Sequence, residues 1–412
     1  MNDMSASAIP DLNTMKTLEV KVSNTFEKAG FEHIDPAIMQ PADVYLQQIG
    51  EAIRGRTYVF SDINGDELCL RPDLTVPAAR VYIERSEDQT AEKARYYYSG
   101  PTFRYPYDEP ASSEEEGQQQ PSATTPAHGN SREFRQAGIE IFGKEEKEKA
   151  EVEVLKLTLD ALKEVGTTDF NIRMGDLGLF FALLDAIDMP DRWRKRLAEN
   201  FWRHEDFQNI LTQLSEPHNL EYENELRSLL KKITNESKKD AEQHVGDYLA
   251  SKAIPLIGAR TLEEITNQLI AKAADLTSEP LEPEKIDIIK KYLEISAPPK
   301  AVGARLQDLA ETAGLDLSKA LDRYQKRIEL LSSADIDLCN AEFTAEFGRK
   351  FEYYTGFVFQ IEKHNMGPEG HIAGGGRYDH LLHSLGLPKN IPAIGAAINL
   401  DRLAALIDGD VL

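Results

Sequence analysis

Arg132-Glu133-Phe134-Arg135-Gln136-Ala137-Gly138-Ile139-Glu140-Ile141-Phe142-Gly143 is the stretch whose reading decides the fold. It reads as a strand, and Arg95 to Tyr105 reads as its partner. The 25 residues between them, Pro106 to Asn130, hold four prolines, Glu114 to Glu116, Gln118 to Gln120 and almost nothing apolar. Such a composition reads as a mobile loop. Towards the N-terminus, Leu18, Val22, Phe26 and Ala29 mark the apolar face of a helix that Asn13 can cap and Gly30 can end. Tyr58 to Ser61 and Glu67 to Arg71, around Ile63-Asn64-Gly65-Asp66, read as a hairpin with an Asn-Gly turn.

Towards the C-terminus, Glu145 to Glu164 reads as a long helix and Asp169 to Met174 as a short strand. From Met189 to about Leu331 the pattern is helical, with breaks at Pro255, Pro280, Pro283 and Pro298-Pro299. Tyr353 to Ile361 is β-rich again, Gly374-Gly375-Gly376 permits close backbone approach, and Pro392 to Ala397 leads into a helix carrying Asp401 and Arg402. Strands on both sides of a helical block imply an α+β fold. Its expected form is one mixed, mostly antiparallel sheet flanked by helices and built from both ends of the chain, with a mainly helical insertion. The expected division is 10–188 for the first part of the core, 189–331 for the insertion and connectors, and 332–412 for the second part of the core. There is no internal repeat.

The 412 residues, at about 150 per domain, fit two or three domains. With 41% hydrophobic and 28% charged residues the composition is that of a folded protein, and no apolar run approaches the roughly 20 residues of a membrane span. The start, MNDMSASAIPDLN, has neither the basic region nor the apolar stretch of a secretory signal, so the cytoplasm is expected. Acidic side chains outnumber basic ones 70 to 47, a net charge of −23 that repels polyanions. Cys69 and Cys339 are the only cysteines, so neither a disulfide framework nor a thiolate metal site is expected.

Singly, Arg104 at the end of a strand, Arg402 in its helix and the triple glycine read as a salt-bridge partner, another and a tight turn. In this order they resemble the catalytic core of a class II aminoacyl-tRNA synthetase, specifically the histidyl branch. Phe103-Arg104-Tyr105 with Arg132 to Gly143 is similar to that family's second motif, and Ala393 to Leu403 to its third; Pro36 fits the first loosely. Leu70-Arg71-Pro72-Asp73-Leu74-Thr75, Arg349-Lys350-Phe351-Glu352-Tyr353-Tyr354 and Gly374 to Asp379 resemble segments peculiar to the histidine-recognising branch. The resemblance covers about residues 10 to 190 and 335 to 412. It implies that Asp73 and Thr75 hold the α-amino group of histidine, with Gln136 and Glu140 lining the same pocket. Arg104 would face a carboxylate or phosphate, Arg349 would take the place of the branch's catalytic arginine, and Tyr353 and Tyr354 would close on the imidazole. The chemistry matches: carboxylate to ammonium, guanidinium to carboxylate, aromatic wall to flat ring.

The departures from that family decide between functions. Pro106 stands where the synthetases place an adenine-contacting glutamate, and Asn399 replaces a glycine that lets ATP approach. Ten residues follow Arg402, where a histidyl synthetase carries its anticodon-binding domain, so no such domain and no tRNA substrate are expected. This combination resembles the histidyl-synthetase-like regulatory subunits of ATP phosphoribosyltransferase. That resemblance implies a non-catalytic role in the first step of histidine biosynthesis and in its feedback regulation, with histidine as effector. The implied partner is a short-form catalytic subunit, in a hetero-octamer, with self-dimerisation. No cofactor and no metal are expected. Two alternatives stay open: a histidine-activating ligase or histidyl-tRNA synthetase lacking its anticodon domain, and an interaction protein whose pocket is vestigial.

Overall fold

A computed structural model of the chain describes residues 12–48, 55–86, 93–105, 132–216, 224–234, 236–252, 254, 261–276, 278–347, 353–363 and 370–408. The expected mobile loop 106–130 and the candidate Arg349 lie outside the described residues. The strands, in chain order, are β1 (Glu32–His33), β2 (Met39–Pro41), β3 (Val59–Ser61), β4 (Glu67–Leu70), β5 (Ala94–Phe103), β6 (Glu133–Phe142), β7 (Phe170–Asp176), β8 (Ser296–Ala297), β9 (Ala341–Thr344), β10 (Phe357–Lys363), β11 (His371–Arg377) and β12 (Ala393–Asn399). Nine of them form one sheet in the order β1-β5-β6-β12-β11-β10-β7-β9-β8, and β2-β4-β3 form a second, smaller one. Within the large sheet β1–β5 and β7–β9 are parallel and the other pairings antiparallel. Strands from the two ends of the chain interleave, as expected of the simplest assembly.

Register fixes which side chains share a face, because successive residues of a strand point to opposite sides. Across β5, β6, β12 and β11 the register aligns Tyr97–Ile139–Ala396–Gly375 and Arg95–Ile141–Ile394–Arg377 on one face. The helices Leu12–Lys28, Lys147–Glu164 and Leu400–Asp408 cover that side. The first buries Met15, Leu18, Val22 and Phe26 along one stripe and gives way at Gly30, which has φ +80°. Asn13 lies inside this helix rather than capping it. On the opposite face the register aligns Tyr96–Glu140–Gly395–Gly376 and Tyr98–Gly138–Ala397–Gly374. This side packs with Tyr45, Cys69, Leu74, Tyr82, Phe142 and Tyr378 in one buried cluster. Each such large side chain contributes about 1.5–3 kcal/mol through burial.

The expected hairpin is β3–β4, antiparallel, with Gly65 at φ +89°. Its loop is longer than a two-residue turn. The Asp62 carboxylate closes it by accepting the main-chain N–H groups of Asn64 and Asp66 at 2.8 and 2.9 Å.

The chain divides into two compact units, one of residues 1–186 with 291–412 and the other Ile187–Lys290. The stretch 189–331 expected as insertion and connectors extends beyond this second unit. The structure keeps β8 and the helices Pro299–Ala313 and Ser318–Ser333 in the sheet-bearing unit, where Arg327 pairs with Glu151 and Asp176. The second unit is helical. Its Leu229, Leu230, Ile233, Ala241, Val245 and Ala273 form a core of their own, and Asp275 accepts from both Arg192 Nε and Trp193 Nε1 at 2.6 Å. Among the described residues no helix is long and apolar enough to cross a membrane.

Candidate functional site

The segment Arg71-Pro72-Asp73 enters the helix Thr75–Arg85 under tight restraint. Arg71, 1% exposed, donates from Nη1 to the Pro36 carbonyl (2.5 Å) and from Nε to the Pro101 carbonyl (2.8 Å), while its own carbonyl accepts from Phe103 N (3.0 Å). Arg104 Nε donates to the Pro72 carbonyl at 2.9 Å, and its guanidinium lies 5.0 Å from the Phe134 ring centre. Asp73 is thereby fixed in a buried position. Its Oδ1 accepts the Val76 N–H at 3.1 Å, and its Oδ2 is buried with no hydrogen-bond partner. Desolvation raises its pKa, against the opposing pull of the Val76 N–H and the Arg104 charge.

Glu140 rises from the middle of β6 and is fully buried. Tyr98 Oη donates to its Oε1 at 2.9 Å, and Tyr378 Oη donates to its Oε2. Burial pushes the carboxyl up to about 7; the hydroxyl donors Tyr378, Thr75 and Tyr98 work against this, and the Asp73 charge adds to it. Glycine at 395 leaves the carboxylate its place, since a Cβ there would lie 1.4 Å from Glu140 Oε2. Gly376 likewise makes way for Tyr354, whose ring atom would stand 2.8 Å from a Cβ.

Tyr353 and Tyr354 pack with ring centres 4.7 Å apart, and Tyr353 meets Tyr378 edge-on at 5.9 Å. Burial raises the pKa of both, and the charges of Asp73 and Glu140 raise them further. Gln136 sits two residues from Gly138 on the same face of β6, opposite Gly100 and Asn399, and its side-chain oxygen is buried without a partner. The structure therefore gathers Asp73, Thr75, Arg104, Gln136, Glu140, Tyr353 and Tyr354 at one side of the sheet. Arg349 alone of the candidates lies outside the described residues.

Three tyrosines join the site without having been singled out by the sequence. Tyr98 and Tyr378 hold Glu140; Tyr45, fully buried, has a partnerless hydroxyl, and burial first and the Asp73 charge second push its pKa up. The available signal for Tyr98 was its alternation with Tyr96 and Gly100 along β5. At the third motif Asn399 serves the fold, because its Oδ1 accepts the Arg402 N–H at 3.0 Å and so caps the helix Leu400–Asp408. Arg402 donates from Nη1 to the His371 carbonyl at 2.8 Å.

A buried acceptor without a donor costs about 1–3 kcal/mol, so Asp73 Oδ2 and Gln136 Oε1 favour a ligand that brings N–H donors. The aromatic wall beside Glu140 suits a flat polar ring. Among the described residues no cluster of His, Cys, Asp or Glu has the arrangement of a metal site.

Known proteins share this architecture. The family model described as histidyl-tRNA synthetase matches residues 7–267 and 258–403. A structure described as an ATP phosphoribosyltransferase regulatory subunit/histidyl-tRNA synthetase from Bacillus halodurans superposes with a TM-score of 0.60 at 19% identity, over 98% of this chain and 83% of that one. Histidyl-tRNA synthetase from Nostoc sp. gives 0.59 at 16% identity, over 100% and 77%. These two likenesses are of fold. Sequence brings the relation closer: the ATP phosphoribosyltransferase regulatory subunit of Brucella anthropi is 30% identical over 93% of this chain and 95% of its own length, and that of Chelativorans sp. is 31% identical over 90% and 92%. With the synthetase-type sheet, its histidyl-branch segments and near-full-length identity of this order, the chain belongs to the histidyl-tRNA-synthetase-like family of ATP phosphoribosyltransferase regulatory subunits.

Proposed function

We propose that this chain is the non-catalytic regulatory subunit of an ATP phosphoribosyltransferase, required for the first step of histidine biosynthesis and for its feedback inhibition. The observation that carries the reading is the match over more than nine-tenths of the chain to proteins named as that subunit. Its partner is a short-form catalytic subunit, in a hetero-octamer that contains self-dimers of this chain, located in the cytoplasm. Histidine is the effector. Its ammonium faces Asp73, Thr75 and Gln136, its carboxylate faces Arg104, and its imidazole lies between Glu140 and the Tyr353–Tyr354 pair, with Arg349 assigned to the same pocket by family resemblance. The partnerless Asp73 Oδ2 and Gln136 Oε1 support this orientation, since an ammonium supplies the donors both atoms lack. Feedback then requires histidine to bind one arrangement of the assembly more tightly, by a coupling free energy of typically about 1–3 kcal/mol.

The family model's description as a synthetase keeps a second reading in play, a histidine-activating ligase. One experiment separates the two. The chain is mixed with the short-form catalytic subunit encoded in the same genome, run on a sizing column at micromolar concentration, and assayed for phosphoribosyl transfer with and without histidine. Joint elution, a faster transferase rate and inhibition by histidine are expected. Separate elution with an unchanged rate, together with histidine-dependent exchange of pyrophosphate into ATP by the chain alone, would establish the ligase.

A further inference from the structure

The far side of the sheet carries a buried set of charges that the ligand reading does not use. β11 alternates: Gly374 and Gly376 face the pocket, Arg377 points to the helix-covered side, and Tyr378 returns to the pocket. Arg377 is 2% exposed and its whole guanidinium is engaged. Nε donates to Glu151 Oε1 (2.5 Å), Nη1 to Asp379 Oδ1 (2.9 Å) and Nη2 to the Lys147 carbonyl (2.9 Å). The partners are anchored in turn. Glu151 Oε2 accepts from Arg327 Nε (2.5 Å), and Arg327 Nη1 reaches Asp176 Oδ2 (2.7 Å), so both Glu151 oxygens are held and the carboxylate cannot turn away. Asp379 accepts from Ala393 N through Oδ1 (3.0 Å) and from Lys147 Nζ through Oδ2 (2.6 Å).

Between these two clamped residues stands Tyr378. Its N–H is bonded to the Ala393 carbonyl at 2.9 Å, which ties it to β12, the strand whose Gly395 leaves room for Glu140. We propose that Arg377 is a positioning residue of the pocket: gripped behind the sheet by Glu151 and Asp379, it fixes Tyr378 so that the tyrosine hydroxyl stays on Glu140. The proposal rests on the reading that Glu140 faces the effector. Shape explains why arginine stands here, since a planar fork satisfies three acceptors at set angles, whereas a lysine ammonium on a flexible stem cannot meet all three. Helix Ser318–Ser333, through Arg327, becomes a second anchor of the same device.

The test compares Arg377→Lys, Tyr378→Phe and the double variant with wild type. The first readout needs no ligand: the titration of the Glu140 carboxyl, followed by its 13C shift in glutamate-labelled protein and assigned with Glu140→Gln. Loss of the Tyr378 donor should move the Glu140 midpoint upward, because that hydroxyl favours the charged form. Asp73, Thr75, Tyr98, Tyr353 and Tyr354, the other groups facing Glu140, are unchanged in every variant. Arg377→Lys should move the midpoint the same way, and the double variant should go no further than Tyr378→Phe alone. Histidine affinity should follow the same pattern, about tenfold weaker in each single variant and no weaker in the double. An unchanged midpoint and affinity in Arg377→Lys, or losses that multiply in the double variant, would overturn the proposal. If wild type does not bind histidine, the effector reading fails while the carboxyl titration still decides whether Arg377 acts through Tyr378. Should Arg377→Lys not fold, Lys147→Met removes one hold on Asp379 from a half-buried position, and a smaller upward shift is expected.

Discussion

Glutamine at position 140 should change the way stability depends on pH. Glu140 is held at about 7 in the folded protein, against an ordinary 4.5, because burial outweighs the hydroxyl donors of Tyr378, Thr75 and Tyr98. Below about pH 4.5 the carboxyl is protonated in both states and adds no pH dependence. Between 4.5 and 7 the unfolded chain gives up the proton first, so wild-type stability falls as pH rises; above 7 both states are ionised and the deficit is constant. At about 1.4 kcal/mol per unit, the part of this deficit that develops between pH 5 and pH 8 is roughly 2–3 kcal/mol. Glu140→Gln cannot ionise. Its amide oxygen accepts from one tyrosine hydroxyl and its NH2 donates to the other, at a cost that does not depend on pH. The stability difference between variant and wild type should therefore move by roughly 2–3 kcal/mol in favour of glutamine from pH 5 to pH 8. Urea unfolding at four pH values measures it. Near-ultraviolet circular dichroism of the tyrosines is the suitable signal, because both tryptophans, Trp193 and Trp202, lie in the helical unit. A difference that stays flat over that range would refute the reasoning and mean that the three donors keep Glu140 ionised.

Two further outcomes follow from the same geometry. Asp73→Ala removes the charge that faces the proposed ammonium, worth about 1.5–3 kcal/mol for a charge-assisted contact, so histidine titrated calorimetrically into the assembly with its catalytic partner should bind about 10- to 150-fold more weakly. Unfolding free energy should fall by only about 1 kcal/mol, because Oδ1 loses its bond to the Val76 N–H while Oδ2 has no partner to lose. Gly395→Ala places a Cβ 1.4 Å from Glu140 Oε2 and 2.7 Å from the Ile139 carbonyl, so the carboxylate must move and the β6 backbone must give as well. A loss of roughly 1–3 kcal/mol in unfolding free energy is expected, with histidine binding abolished. An unperturbed melting curve would show that Glu140 has another place to go.

The sheet was legible because its determinants are local. The β5 and β6 segments stand out as paired strands, the Asn-Gly signal marks β3–β4, and strands on either side of a helical block make one sheet from both chain ends the simplest assembly. What ended the legibility was sequence separation. Nothing in the periodicity of Ser318–Ser333 says that Arg327 will meet Glu151, 176 residues earlier, and it is this buried pair that keeps the helix with the sheet rather than with the insertion. A helical pattern states which face is apolar and leaves open which unit the face packs against.

The candidate site divides along the same line. Asp73, Glu140 and the Tyr353–Tyr354 pair could be named because each stands in a short segment of recognisable order. The contacts that set their chemistry could not, since Tyr98 and Tyr378, the latter inside the Gly374 to Asp379 segment, act on Glu140 from 42 and 238 residues away. Asn399 marks the limit of inference from residue type. Read against a synthetase, its side chain is an obstacle in a place meant for glycine; in the fold, its Oδ1 supplies the N-cap of the last helix through the Arg402 N–H. The cap is what the fold shows, and the obstacle is what the family resemblance implies. A position that must admit a nucleotide needs glycine, whereas one released from that demand can take a capping residue, which typically adds about 1 kcal/mol to helix stability over alanine. At the third motif the Asn399 side chain holds the last helix in place.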